Sequence, residues 1–181
     1  MKEIEVKIIE INKKEVEAKL RKLGAKKAFS GKIEAIIMDY PDKRLKKNKQ
    51  ILRLRKMISE SKVKCILTHK HQKKVNLKAK TVEETEFEIE SFEKMQKVLS
   101  SLGLVKIWEL NKLRTSWGIN KCHVEIERYL GKHKFVPCFL EIEGPSTKTV
   151  YAMAKKLGFR EEDCKAWNSW DIEAHYKNKK K

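Results

Sequence analysis

The sequence predicts an α+β fold in which about eight antiparallel strands are flanked by helices. Segments that alternate apolar and charged residues recur along the chain, and this is the period of a half-buried strand. Three segments bearing Glu-x-Glu each lead into a helical pattern closed by Leu-Gly, as in EFEIESFEKMQKVLSSLG. About eight strands is also the number at which a sheet can close into a barrel that holds one small ligand.

The opening segment EIEVK predicts a strand whose two faces differ. Glu3, Glu5 and Lys7 alternate with Ile4, Val6 and Ile8, so one face is apolar and the other is charged. A helix follows over residues 12–27, with Asn12 as its N-cap and Gly24 near its end. Further strands are predicted at 33–40, 50–57, 62–70, 74–80, 84–89, 105–119, 121–129 and 135–144, and further helices at 91–103, 145–158 and 160–176.

Composition limits the class of partner. The 181 residues fit one domain, and 40% hydrophobic residues support a globular core. Lys and Arg number 43 against 25 Asp and Glu, giving a formal charge of +18. So large a surplus predicts an anionic partner, which could be nucleic acid, a phosphate-rich small molecule or an acidic surface.

Cysteine spacing and hydropathy argue against a zinc ribbon and a membrane span. No CxxC pair occurs, and the apolar runs are too short to cross a bilayer. With no signal peptide before the first strand, we expect a reducing, cytoplasmic location. We expect residues 1–176 to form a single domain and the lysine-rich residues 177–181 to form a solvated tail.

Charged residues two apart are the most informative pattern. Most of these doublets have a single sign, whereas an outward face would gain from mixed signs. An inner, charged surface is therefore favoured, although an antiparallel sheet with a wet exterior remains the alternative. Carboxylate doublets suit Mg²⁺ or Mn²⁺, and Arg and Lys doublets suit phosphate oxygens. The carboxylate doublets are Glu3/Glu5, Glu84/Glu86/Glu88, Glu125/Glu127 and Glu141/Glu143, and the basic ones are Arg53/Arg55, Lys78/Lys80 and Lys112/Arg114.

These motifs, in this order, resemble the CYTH superfamily, also called the triphosphate tunnel metalloenzymes. EIEVK is similar to the family signature ExExK, and LRLR, LTHK, EETEFEI, NKLR and FLEIEG follow in family order. The similarity runs from residue 3 to about residue 158. It implies a closed eight-stranded antiparallel barrel that forms a tunnel, with flanking helices.

The resemblance also implies a set of site residues. It assigns Lys7, Arg53 and Arg114 to catalysis, with Mg²⁺ or Mn²⁺ as the cofactor. The middle carboxylate pair is Glu84/Glu86 by family similarity, whereas the internal repeat would select Glu86/Glu88. The implied phosphate-binding residues are Lys7, Arg53, Arg55, Lys70, Lys112 and Arg114, and the implied metal ligands are Glu3, Glu5, Glu84, Glu86, Glu127, Glu141 and Glu143.

The function that this resemblance implies is metal-dependent hydrolysis of a triphosphate: inorganic, nucleoside or thiamine triphosphate. One ion would bridge the phosphates and a second would activate water. The alternative enzyme is a class IV adenylate cyclase that makes cyclic AMP and pyrophosphate from ATP. We expect a small-molecule substrate, no membrane partner, and a monomer or homodimer.

A nucleic-acid or polyphosphate-binding module is the non-enzyme alternative. We expect nucleic acid not to be the partner, because aromatic residues are only 8% of the chain. The carboxylate doublets would also repel a phosphate backbone unless metals intervened. We expect the four tryptophans to lie in the core or a lid, with stacking on a nucleobase as the alternative.

Overall fold

A computed structural model describes the backbone of residues 2–75 and 80–179. It describes the side chains of these residues except 2–3, 72–75 and 80–82. The predicted strand over 74–80 therefore lies partly outside the described residues, and its first residues belong to the preceding strand. Nothing in the described part of the chain is a helix long and apolar enough to cross a membrane.

Eight antiparallel strands form a closed barrel, which confirms the predicted fold class. Their order around the barrel is β1-β5-β4-β3-β2-β6-β7-β8, and β8 pairs with β1 to close it. The strands are β1 Lys2–Ile8, β2 Lys26–Asp39, β3 Gln50–Ile58, β4 Val63–Val75, β5 Lys80–Ile89, β6 Val105–Ile119, β7 Cys122–Tyr129 and β8 Phe139–Gly144.

The helices pack on the outside of the barrel or across one end. They are α1 Lys13–Lys22, α2 Arg44–Lys47, α3 Phe92–Ser101, α4 Thr147–Lys156 and α5 Ser169–Asn178. Asn12 accepts hydrogen bonds from the first turn of α1, as predicted. α1, α3 and α4 each follow a Glu-x-Glu strand and end at Leu-Gly, with the glycine at a φ of 78–87°.

The hydrophobic core lies outside the barrel. Val6, Val124 and Ile142 point outward and pack against Leu20 of α1 and Met153 of α4. A second outer cluster joins Ile36 and Leu54 to Leu99 of α3. The apolar face of each strand is thus used against helices, and this leaves the charged face to line the interior of the barrel.

Several boundaries differ from the sequence prediction: the helix predicted over 12–27 ends at Lys22, and the strand predicted over 135–144 begins at Phe139. β2 begins at Lys26, because residues 26–32 pair with β6 before β2 reaches its apolar run. The helix predicted over 160–176 is confined to α5, because the chain before it runs beside β1. There Lys165 exchanges two backbone hydrogen bonds of 2.8 Å with Lys7, and this pairing is incompatible with a continuous helix.

The last helix extends past residue 176, into the segment predicted as a tail. α5 continues to Asn178, and Lys177 forms an ion pair with Glu173 one turn earlier. Lys179 lies 3.3 Å from Glu10. The division into a domain over 1–176 and a tail over 177–181 stays a prediction.

Candidate active site

The interior of the barrel contains a cavity of about 440 Å³. This volume lies within the range of about 300–1,000 Å³ that is usual for small-molecule sites. Charged side chains from both sides of the barrel face the cavity, together with an apolar group near one end. The charged lining residues are Glu5, Lys7, Arg53, Arg55, Lys70, Glu84, Glu86, Lys112, Arg114, Glu125, Glu141 and Glu143.

One side of the interior, here called the buried wall, is formed by β1, β6, β7 and β8. Lys7 Nζ lies 3.0 Å from Glu141 and 3.5 Å from Glu5. Arg114 pairs with both Glu125 and Glu127. The strand register explains these pairs, since Lys7 is opposite Glu141 and Arg114 is opposite Glu127. The members of the buried wall are Glu5, Lys7, Lys112, Arg114, Glu125, Glu127, Glu141 and Glu143.

Mutual attraction keeps several of these buried groups ionised. Burial opposes the charge of Lys7, but attraction to Glu141 and Glu5 outweighs it and raises the pKa of Lys7. In the same way, Lys7 and Arg114 hold the pKa of Glu141 well below its ordinary value against the effect of burial. Glu125 is different, because burial dominates there and raises its pKa.

Among the cations of the buried wall, Lys112 is the one whose pKa is lowered. Burial and repulsion from Arg114 lower its pKa to about 8, although Glu127 attracts the ammonium. Its Nζ donates to Glu127 at 2.5 Å. A lysine with a pKa near neutral can accept a proton as well as hold a charge, a property that is concentrated at functional sites.

The opposite side of the interior, here called the open wall, is formed by Arg53, Arg55, Thr68, Lys70, Glu84 and Glu86 on β3, β4 and β5. Arg53 lies 3.3 Å from Glu84, and Arg55 lies 2.6 Å from Glu86. Lys70 also pairs with Glu84. The Glu86 side chain is 36% exposed, so these ion pairs are wetter than those of the buried wall.

The pKa values of the open wall also reflect its ion pairs. Burial raises the pKa of Glu86, but attraction to Arg55 outweighs this effect and brings it to about 2. The Thr68 hydroxyl assists by donating to Glu86 at 2.8 Å. Burial lowers the pKa of Arg55 to about 10, which leaves it charged at neutral pH. Arg55 therefore presents a cation to the cavity.

Three carboxylates of the buried wall fit a divalent cation. Oxygen atoms of Glu5, Glu141 and Glu143 lie within 4.8 Å of one another. A second group with the same spacing joins Glu125, Glu127 and Glu141. An all-oxygen donor set of this kind suits Mg²⁺ or Mn²⁺ rather than a metal that prefers thiolates.

The structure places Glu127 differently from the other predicted metal ligands. Glu127 is 1% exposed and lies behind Lys112 and Arg114, both of which bond to its Oε1 atom. Its neighbour Glu125 lines the cavity instead, and sequence reasoning did not select it. The Glu3 side chain lies outside the described residues, so its assignment stays a prediction.

The middle carboxylates separate along β5. Glu84 and Glu86 line the cavity, opposite Lys70 and Thr68 of β4. Glu88 lies exposed beyond them and pairs with Lys64 at 2.8 Å. The geometry therefore favours the Glu84/Glu86 pair over the pair that the internal repeat selects.

Sequence reasoning allowed the tryptophans a place in a lid or beside a nucleobase, but it did not select any residue of one part of the lining for the site. Asn168, Ser169 and Trp170 of the α5 region face the cavity, as does Trp108 of β6. Trp108 could have been found, because it lies four residues before Lys112 on the same strand face. No local signal indicated that α5 would reach the interior.

Comparison with known proteins identifies the class to which this barrel belongs. The profile of the CYTH domain family matches residues 1–163. The chain therefore belongs to the CYTH domain family, and the predicted resemblance is confirmed. No curated protein matches the chain in sequence.

Solved structures share the fold over nearly the whole chain. A protein from Pyrococcus horikoshii OT3 is 24% identical with a TM-score of 0.77, covering 94% of this chain and 98% of its own. A candidate adenylate cyclase from Vibrio parahaemolyticus is 17% identical with a TM-score of 0.79, covering 95% and 97%. A candidate adenylyl cyclase from Hippeastrum with a dominant triphosphatase activity is 16% identical with a TM-score of 0.70, covering 96% and 95%. At these identities the likeness establishes the fold alone.

Proposed function

We propose that the protein is a divalent-metal-dependent phosphohydrolase that cleaves a triphosphate inside the barrel. The observation that carries this proposal is that six cationic side chains and a cluster of three carboxylates line the same cavity. The carboxylate cluster fits Mg²⁺ or Mn²⁺. Phosphoryl transfer needs this combination, because the reaction depends on positioning and on neutralising charge at the transferring group. Membership of the CYTH family supports the same class of activity.

In this proposal both walls of the cavity bind the phosphates. Arg53, Arg55 and Lys70 of the open wall would bind phosphate oxygens, since Arg can do so in a bidentate manner. Lys7 and Arg114 would face the same phosphates from the buried wall, with Lys112 beside them. Lys7, Arg53 and Arg114 are the proposed catalytic residues, because charge at the reacting phosphorus would be stabilised from both sides.

Glu5, Glu141 and Glu143 would hold the metal, with Glu84 and Glu86 on the opposite wall. When bound, Mg²⁺ or Mn²⁺ would neutralise phosphate oxygens and favour ionisation of water. Water would attack the terminal phosphorus, the bond to its bridging oxygen would break, and orthophosphate would leave together with a diphosphate. We propose that the protein carries this out in the cytoplasm, as a monomer or homodimer.

The experiment that tests this proposal measures phosphate release from inorganic triphosphate, ATP and thiamine triphosphate, with Mg²⁺ or Mn²⁺ and with EDTA. Release that EDTA abolishes, without cyclic AMP, is the expected result. Cyclic AMP with pyrophosphate would instead indicate a cyclase. Absence of turnover on all three substrates would overturn the enzyme proposal and leave a polyphosphate- or nucleic-acid-binding module.

A matched pair of arginine variants makes the test specific to the cavity. Arg53→Ala should lose most of the phosphate release. Arg160→Ala should retain it, because Arg160 is 75% exposed and pairs with Glu162 outside the cavity. Normal turnover in Arg53→Ala would contradict the proposed mechanism.

A further inference from the structure

The cavity has an apolar end that a bare triphosphate would not use. Along β6 the lining changes from Trp108 and Leu110 to the charged Lys112 and Arg114, and along β3 it changes from Ile51 to Arg53. β3 and β6 run in the same direction on either side of β2, so their apolar lining residues lie toward the same end. The apolar residues that line the cavity are Ile33, Ala35, Ile37, Ile51, Trp108, Leu110 and Trp170.

Trp108 lies close to the phosphate-binding arginines proposed above. Ile37 of β2 pairs with Trp108 on one side and with Arg53 on the other. Two strand spacings therefore separate the backbones of Trp108 and Arg53, which is about 10 Å. One elongated ligand can thus contact both the aromatic end and the cationic part of the cavity.

α5 supplies the second ring at this end. The Trp170 ring lies 5.3 Å from that of Trp108, at an angle of 44°. Two contacts fix α5 in this position: Glu173 lies 3.3 Å from His133, and the Tyr176 hydroxyl donates to Glu10 at 2.8 Å. The pair of tryptophans is therefore held across the end of the cavity by anchored elements.

Resting on the proposed function, we propose that the Trp108–Trp170 end binds the nucleobase of a nucleoside triphosphate while the charged walls bind its phosphates. Aromatic side chains stack on every base, because each base has a π-face. A lysine beside this end opposes a cationic ring. Lys46 of α2 lies 5.4 Å from the Trp170 ring, and its ammonium would repel the positive ring of a thiamine ester.

The experiment compares substrates rather than absolute rates. We would measure kcat/KM for ATP, thiamine triphosphate and inorganic triphosphate in the wild type, Trp108→Leu and Trp170→Leu. The ratio of kcat/KM for ATP to kcat/KM for inorganic triphosphate should fall about 5- to 150-fold in each variant, because a stacked base contributes about 1–3 kcal/mol. Trp108→Phe, which keeps a ring, should recover part of the ratio.

Trp167→Leu is the matched control. Trp167 packs against His175 next to the same helix, with ring centroids 4.9 Å apart, and it is not among the lining residues. Its ratio should stay at the wild-type value. A similar fall with all three substrates in Trp108→Leu, or no fall in the ratio, would overturn the inference. A loss confined to thiamine triphosphate would also overturn it, in favour of a cationic ring.

Direct binding separates this inference from the proposed hydrolysis. If the wild type cleaves none of the three substrates, calorimetric titration with ATP and with inorganic triphosphate still tests the aromatic end. Tighter binding of ATP that Trp108→Leu abolishes would sustain the inference without the activity. Hydrolysis of inorganic triphosphate by a protein that does not bind ATP would sustain the activity and overturn the inference.

Discussion

The two walls of the cavity carry similar charged groups in different surroundings. In the buried wall, Lys7 and Glu141 pair with side chains 4% and 9% exposed, and the strands are covered outside by α1 and α4. In the open wall, Arg53 and Glu86 are 19% and 36% exposed. Buried ion pairs are costly to break, whereas exposed pairs contribute little. We therefore expect the ion pairs of the buried wall to contribute to both stability and activity. We expect those of the open wall to contribute to activity alone.

The largest expected effect is on the buried wall. Lys7→Met should destabilise the protein by about 3–5 kcal/mol, because it leaves Glu141 buried without its nearest cation. The double variant Lys7→Met with Glu141→Gln should recover most of the loss, since both charges are then absent. Urea unfolding of the metal-free protein measures both changes.

Lys64→Met is the control for that prediction. It removes the cation of an exposed pair, in which Lys64 and Glu88 side chains are 41% and 54% exposed. Its free energy of unfolding should change by less than about 1 kcal/mol. Equal losses in Lys64→Met and Lys7→Met would show that the distinction between the walls is wrong.

The open wall should show the reverse pattern. Arg53→Ala should lower kcat/KM by about 100-fold, the scale expected when one preorganised charge donor at a reacting centre is removed. Its free energy of unfolding should change by about 1 kcal/mol or less, because Arg53 is partly solvated. Steady-state kinetics and urea unfolding of one preparation test both statements. Unfolding as severe as that of Lys7→Met would remove the contrast.

Strand periodicity made much of the fold and the charged interior predictable. Alternation placed Glu5 with Lys7, and Arg53 with Arg55, on the same face of their strands, and the structure has them facing one cavity. The burial of individual carboxylates was less predictable. Glu125 and Glu127 share a face, yet only the register that sets Glu127 opposite Arg114, together with its ion pair to Lys112, shows that Glu127 is the covered one.

The aromatic end of the cavity depends on contacts distant in sequence. Trp170 reaches the cavity because Tyr176 bonds to Glu10 and Glu173 lies beside His133. The first of these pairs is separated by 166 residues. Local patterns report which residues are helical or apolar, but they do not report where a terminal helix docks.

A smaller effect distinguishes carboxylates within the buried wall. Glu143→Gln should weaken Mn²⁺ binding about tenfold or more, because changes even at residues that only support a ligand cost about 10–100-fold. Glu127→Gln should mainly lower the free energy of unfolding, since Glu127 is 1% exposed and forms ion pairs with Lys112 and Arg114. Electron paramagnetic resonance of free Mn²⁺ measures the affinities. A larger loss of affinity in Glu127→Gln would return that residue to the metal site.

The smallest effect is the acid response of the metal-free protein in EDTA. The pKa of Glu86 is lowered from 4.5 to about 2, so its contribution to stability is present above pH 4.5 and is lost as the pH falls toward 2. Because Glu86 is 36% exposed, solvent screening limits the loss to about 1 kcal/mol. Glu86→Gln should therefore lose less stability than the wild type across this window.

Glu141 should respond to acid in the same direction as Glu86. Lys7 and Arg114 hold its pKa well below the ordinary value of 4.5 against the effect of burial, so its contribution to stability is present above pH 4.5 and is lost as the pH falls below that value. Urea unfolding of the metal-free protein at intervals from pH 5 to pH 2.5 should show the stability difference between wild type and Glu141→Gln shrinking as the pH falls. A difference that stays constant over this range would show that the buried wall does not hold the charge of Glu141 without a ligand.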